Sequence, residues 1–103
     1  MRIIGSEAEY DQFLKENTSV FIDFYADWCG PCKMVAPIVE KVSEIYTDVA
    51  FAKVNVDDVP EVAERYGVMS IPTMIAVKNG EVVETSVGFV PQEILEKVVA
   101  AAR

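Results

Sequence analysis

The chain has 103 residues, of which 51% are apolar and 25% charged, proportions of one globular domain over 1–103 and not of a disordered, collagen-like or low-complexity segment. Nine basic against 17 acidic residues leave a net charge of −8 with no basic stripe, so no nucleic-acid partner is expected. No apolar run is long enough to cross a bilayer, and the absence of histidine removes every imidazole base and metal ligand.

Residues 1–9 lack the long apolar stretch of a secretory signal, which points to the cytoplasm. Arg2 to Ile4 reads as a short first strand. Ser6 to Glu9 fits a capping box, opening a helix with a weak apolar face (Ala8, Phe13, Leu14) that ends near Asn17. Ser19 to Ala26 is β-branched, aromatic and nearly all apolar, the pattern of a central strand covered on both faces. A helix starts at Gly30-Pro31, with Val35, Ile38, Val39, Val42 and Ile45 (and Met34 and Tyr46) at helical spacing; Pro37 should kink it. Val49 to Val56 is a third strand, and Pro60 to Tyr66 a short helix stopped by Gly67. Thr73 to Val77 and Glu81 to Val87 flank Asn79-Gly80, a hairpin signal, and Pro91 opens a last helix with Ile94, Leu95, Val98, Val99 and Ala102 on one face. The order β-α-β-α-β-α-β-β-α predicts an α/β fold. Its mixed central sheet is flanked by helices, parallel where strands alternate with helices and antiparallel in the closing hairpin.

The two cysteines stand in Trp28-Cys29-Gly30-Pro31-Cys32-Lys33, between a buried strand and a helix. As a staple the pair would close a four-residue loop, worth roughly 1.9 kcal/mol against ~4.7 for a 100-residue loop. As a zinc site it is half a tetrahedron. As a redox pair it is well placed. Amides and dipole at a helix N-terminus stabilise a thiolate at Cys29, and lowering a thiol pKa from ~8.5 to ~7 raises its thiolate fraction at neutral pH from roughly 3% to 50%. Cys32 lies one turn on, and Pro31 sacrifices no hydrogen bond in the first turn. The helix end thus selects Cys29 as the attacking thiol.

Asp23 interrupts the central strand. It reads either as a carboxylate reaching solvent at the sheet end or as a buried acid; with no histidine present, it is the candidate to move the proton of Cys32. Lys53 sits between Ala52 and Val54 and can snorkel to solvent. Ile71-Pro72 reads as an ordinary turn, and Asp57, Asp58, Glu61 and Glu64 as a solvated acidic stretch.

The segment from Phe21 to Lys33 resembles the thioredoxin family, and Ile71-Pro72-Thr73, Lys78-Asn79-Gly80 and Gly88 resemble that family's later landmarks. The resemblance spans essentially the whole chain. It implies a thioredoxin-like fold and a protein disulfide reductase that carries electrons through reversible dithiol/disulfide exchange. Cys29 would be nucleophile, Cys32 resolving thiol, Asp23 the acid serving Cys32, and Lys53 a modulator of that acid. It implies a cis bond before Pro72 that presents the Ile71 backbone to an extended substrate. Trp28, Ile71, Pro72, Gly88 and Phe89, with Gly30, Pro31 and Val90, would form a small apolar substrate face. The partners implied are protein disulfides and a separate thioredoxin reductase of NADPH/flavin or ferredoxin type. No bound cofactor or metal is implied, only the redox-active disulfide, in a monomer. Tyr25 departs from the family pattern, standing where tryptophan is common; Phe89 is bulkier than the residue often found there, and the first strand is short. An oxidase or isomerase on the same fold is a competing reading, opposed by Gly30-Pro31 between the cysteines. A binding-only scaffold is another.

Overall fold

A computed structural model describing residues 1–103 shows the expected nine elements: β1 (Arg2–Ile4), α1 (Glu7–Glu16), β2 (Ser19–Tyr25), α2 (Gly30–Ile45), β3 (Ala50–Asn55), α3 (Pro60–Arg65), β4 (Thr73–Lys78), β5 (Glu81–Val87) and α4 (Gln92–Ala100). The strands form one sheet in the order β1-β3-β2-β4-β5. Within it, β1, β3 and β2 run parallel, while β4 is antiparallel to both β2 and β5.

The alternation of side chains along a strand separates two cores. Val20, Ile22 and Phe24 of β2 point to one face, packed with Tyr10 and Phe13 of α1 and Val62 and Ala63 of α3. Phe21 points to the other, with Phe51, Met74, Val35, Val39 and Val42 of α2, and Leu95, Val98 and Val99 of α4. The same parity puts Asp23 and Tyr25 on the α2 face.

Four expectations need correction. Alternation of strands and helices predicted parallel pairing everywhere but in the closing hairpin, yet β4 runs against β2, with Thr73 opposite Phe24 and Lys78 opposite Ser19. The helix between β3 and β4 has six residues, ~9 Å of rise, about half the ~20 Å of a strand, so it does not run back along the sheet as a full crossover helix does. Met34 and Ile45, at helical spacing in α2, are exposed, because Val35, Val39 and Val42 already fill the stripe against the sheet. Ile94 is likewise partly exposed on α4, and in α1 the buried residues are Tyr10 and Phe13, not Ala8. Pro37 lies inside α2, which is continuous from Gly30 to Ile45.

Local signals hold at the ends of elements. The Ser6 hydroxyl accepts from the Glu9 amide at 3.1 Å, and Glu9 reaches back to the Gly5 amide at 2.7 Å. Asn79 and Gly80 both have positive φ (52° and 82°), the geometry of the tight hairpin turn between β4 and β5. A register shift at Ala76/Val77 bulges that pair of strands. β5 is the sheet's outer strand, and nearly all its residues are exposed. No helix is long and apolar enough to cross a membrane.

Candidate active site

The chain leaves β2 at Tyr25 and enters α2 at Gly30, so the intervening loop stands at the carboxyl end of the parallel strands. Cys29 is the N-cap of α2, and its Sγ accepts from the Cys32 amide at 3.2 Å. The sulfur therefore takes the place that a serine or aspartate oxygen takes in an ordinary cap. A disulfide joins Cys29 to Cys32, whose Cα atoms are 5.3 Å apart. Both residues are buried against Ala26, Tyr25, Val56 and Ile71. No cluster of side chains suited to a metal ion is present.

The two sulfurs have different neighbours. Cys29 Sγ lies 3.7 Å from the Ile71 carbonyl oxygen, on the side of the loop before β4. Cys32 lines a pocket of about 390 Å³ together with Asp23, Tyr25, Asp27, Lys33 and Lys53. Asp23 is 4% exposed, and its Oδ1 has no hydrogen-bond partner. Burial pushes its carboxyl up to about 6, against the pull of the Lys53 cation. Lys53 pairs in register with Asp23 across β2 and β3. Its ammonium forms no ion pair with the carboxylate; it lies 4.3 Å from the centroid of the Tyr25 ring.

The remaining expected residues surround the disulfide. Trp28 is 71% exposed, and its indole N–H donates to Asp57 Oδ2 at 2.9 Å. Asp57 thus has a specific partner within the acidic stretch. Gly30 and Pro31 form the exposed first turn of α2, followed by exposed Lys33. The Ile71–Pro72 bond is cis. Gly88, at φ 88°, donates its amide to the Pro72 carbonyl at 2.7 Å, which ties the loop after β5 to the loop before β4. Phe89 follows, 44% exposed, while Val90 packs into the α2–α4 core. Two residues went unread in the sequence. Val68 and the almost fully exposed Met69 join Trp28, Val56 and Ile71 around a shallow apolar pocket of about 180 Å³. They lie just before Ile71-Pro72, and only their adjacency to that dipeptide signalled them.

Comparison with known proteins agrees with this geometry. The family profile Thioredoxin matches residues 2–101. A thioredoxin of Bacillus subtilis is 50% identical over 93 residues, covering 86% of this chain and 89% of its own. Among solved structures, a Plasmodium falciparum thioredoxin superposes with a TM-score of 0.93 at 40% identity, each chain covered in full. A Fasciola hepatica thioredoxin does so with a TM-score of 0.93 at 33% identity, again over both full chains.

Proposed function

Because the chain belongs to the thioredoxin family of thiol–disulfide oxidoreductases and works by dithiol/disulfide exchange through Cys29 and Cys32, we propose that it is a cytoplasmic, monomeric protein disulfide reductase with a separate role for each site residue. The carrying observation is the asymmetry of the two sulfurs: Cys29 faces the Ile71 carbonyl, while Cys32 shares a pocket with Asp23.

In the reduced protein the free amides at the start of α2 stabilise a Cys29 thiolate. It attacks one sulfur of a protein disulfide, forming a mixed disulfide and expelling the substrate's other sulfur as a thiolate. Asp23, titrating at about 6, is largely ionised at neutral pH and accepts the Cys32 proton. The Cys32 thiolate attacks Cys29 Sγ, the mixed disulfide breaks, and the second substrate thiolate leaves. Two electrons have passed to the substrate, and the Cys29–Cys32 disulfide is returned to the dithiol by a reductase of NADPH/flavin or ferredoxin type. Lys53 adds a positive field that favours the Asp23 carboxylate. Trp28, Ile71, Pro72, Gly88 and Phe89 form the substrate face, where the Ile71 backbone offers an edge to an extended segment. Gly30, Pro31 and Lys33 shape the first turn that holds the thiolate. One domain, 1–103, carries all of these residues. The cytoplasmic assignment is supported by cysteine use confined to the redox pair, and the monomer by a net charge of −8, which keeps copies apart.

Two measurements test this reading. Cys32→Ser should trap mixed disulfides with protein substrates, whereas Cys29→Ser should form none; the opposite result reverses the roles. The reduction potential of the pair, equilibrated against a dithiol buffer, should lie well below the oxidising range of about −180 to −120 mV. A value inside that range would make the protein an oxidase or isomerase.

A further inference from the structure

We propose that Tyr25 is a positioning residue for disulfide exchange: its ring holds the Lys53 ammonium off the Asp23 carboxylate and so sets how much charge support that carboxylate receives. Asp23 and Lys53 are register partners on adjacent strands, and both side chains reach the pocket that holds Cys32. A buried carboxylate with an unpartnered oxygen would ordinarily draw a neighbouring ammonium into contact. Here the ammonium lies 4.3 Å from the Tyr25 centroid, within the range at which a ring face attracts a cation, and makes no ion pair with Asp23.

Tyr25 is able to compete because it follows Asp23 by two residues on the same strand. Both therefore face α2, with Lys53 beside them. The titratable and charged groups around the pocket are Asp23 and Tyr25 of β2, Asp27 just beyond it, Cys32 and Lys33 of α2, and Lys53 of β3. Asp27 and Lys33 are exposed, so solvent screens them; Lys53 is half-buried and acts at close range. Tyr25 occupies the position singled out in the sequence as a departure from the family pattern.

The inference builds on Asp23 accepting the Cys32 proton, but its test reads the carboxyl directly. The side-chain carboxyl of Asp23 is titrated by carbon-13 NMR in the reduced 103-residue chain. Tyr25→Leu frees Lys53 to approach Asp23 and should lower the midpoint by about half a pH unit or more. Tyr25→Phe keeps the ring and should leave it unchanged. Lys53→Met should raise it, and adding Tyr25→Leu to Lys53→Met should have no further effect. The pH profile of exchange should move with the midpoint. Tyr25→Met serves if the leucine variant does not fold. An unchanged midpoint in Tyr25→Leu overturns the inference. So does a shift that persists without Lys53, which would mean only that water enters the pocket. If the midpoints follow the expected pattern but Asp23→Asn leaves exchange unaltered, Asp23 is not the proton acceptor: Tyr25 then places Lys53, but its part in exchange is overturned together with that of Asp23.

Discussion

Asp23 lowers the stability of the fold that contains it. Its carboxyl titrates at 3.8 in an ordinary setting and at about 6 here, because burial penalises the charged form. The folded chain therefore binds more protons than the unfolded one between those values. The contribution of this one group to stability is fully present below about pH 4, is lost as pH rises through about 6, and stays lost above it. A difference of about two units corresponds to about 3 kcal/mol at pH 7. Asp23→Asn should recover most of that at pH 7 and almost none at pH 4, while slowing exchange at neutral pH. Urea denaturation across this range, alongside exchange kinetics, checks both effects; a gain independent of pH would assign the stabilisation to something other than the charge. At this scale the sequence was informative where chemistry is local. A lone carboxylate in an apolar strand, and two cysteines one helical turn apart, announce themselves. The seat of the Lys53 ammonium did not, because it depends on the side chains of Tyr25 and Lys53 meeting across two strands far apart in the chain.

Caps and turns tie each secondary element to its sequence. Ser6 and Glu9 satisfy two amides at the start of α1, so Ser6→Ala should cost about 1 kcal/mol, seen as a lower urea midpoint with an unchanged slope. The Asn79-Gly80 turn was legible because only residues tolerant of positive φ fit it. The direction of β4 was not, since nothing in Thr73 to Lys78 records which way its neighbour runs; the brevity of α3 was the one hint. Helical spacing likewise overstated the core of α2. Spacing identifies a stripe, but the sheet beneath decides how wide a stripe it covers, and Met34 and Ile45 fall outside. In the same helix Cys29 is both cap and redox group, so the element's first hydrogen bond is made to the reactive sulfur.

As a whole the molecule is a sheet between two cores, with its chemistry at one end and acid spread over its surface. Asp27, Asp57 and Asp58 stand exposed near the disulfide, with Lys33 the nearby exposed cation. Partners approaching this end meet a net negative field. The kcat/KM for reduction of a basic protein disulfide should fall as salt is raised, while that for an acidic one should rise; stopped-flow kinetics at several ionic strengths checks this. Equal slopes for the two substrates would show that the field does not steer them. The fold class itself was readable, because alternating helices and strands leave few ways to cover a sheet on both faces. The outer strand β5 carries a different consequence. Its outward backbone groups have no strand beside them, and its sequence is Val, Thr and Ser with Glu81 at its start and Glu84 at its middle. Those two carboxylates, with the bulge at Ala76/Val77, are what discourage another chain's strand from adding to it. Glu84→Val would leave a stretch able to recruit its own copies, and light scattering at high concentration should then record aggregates that the parent protein does not form.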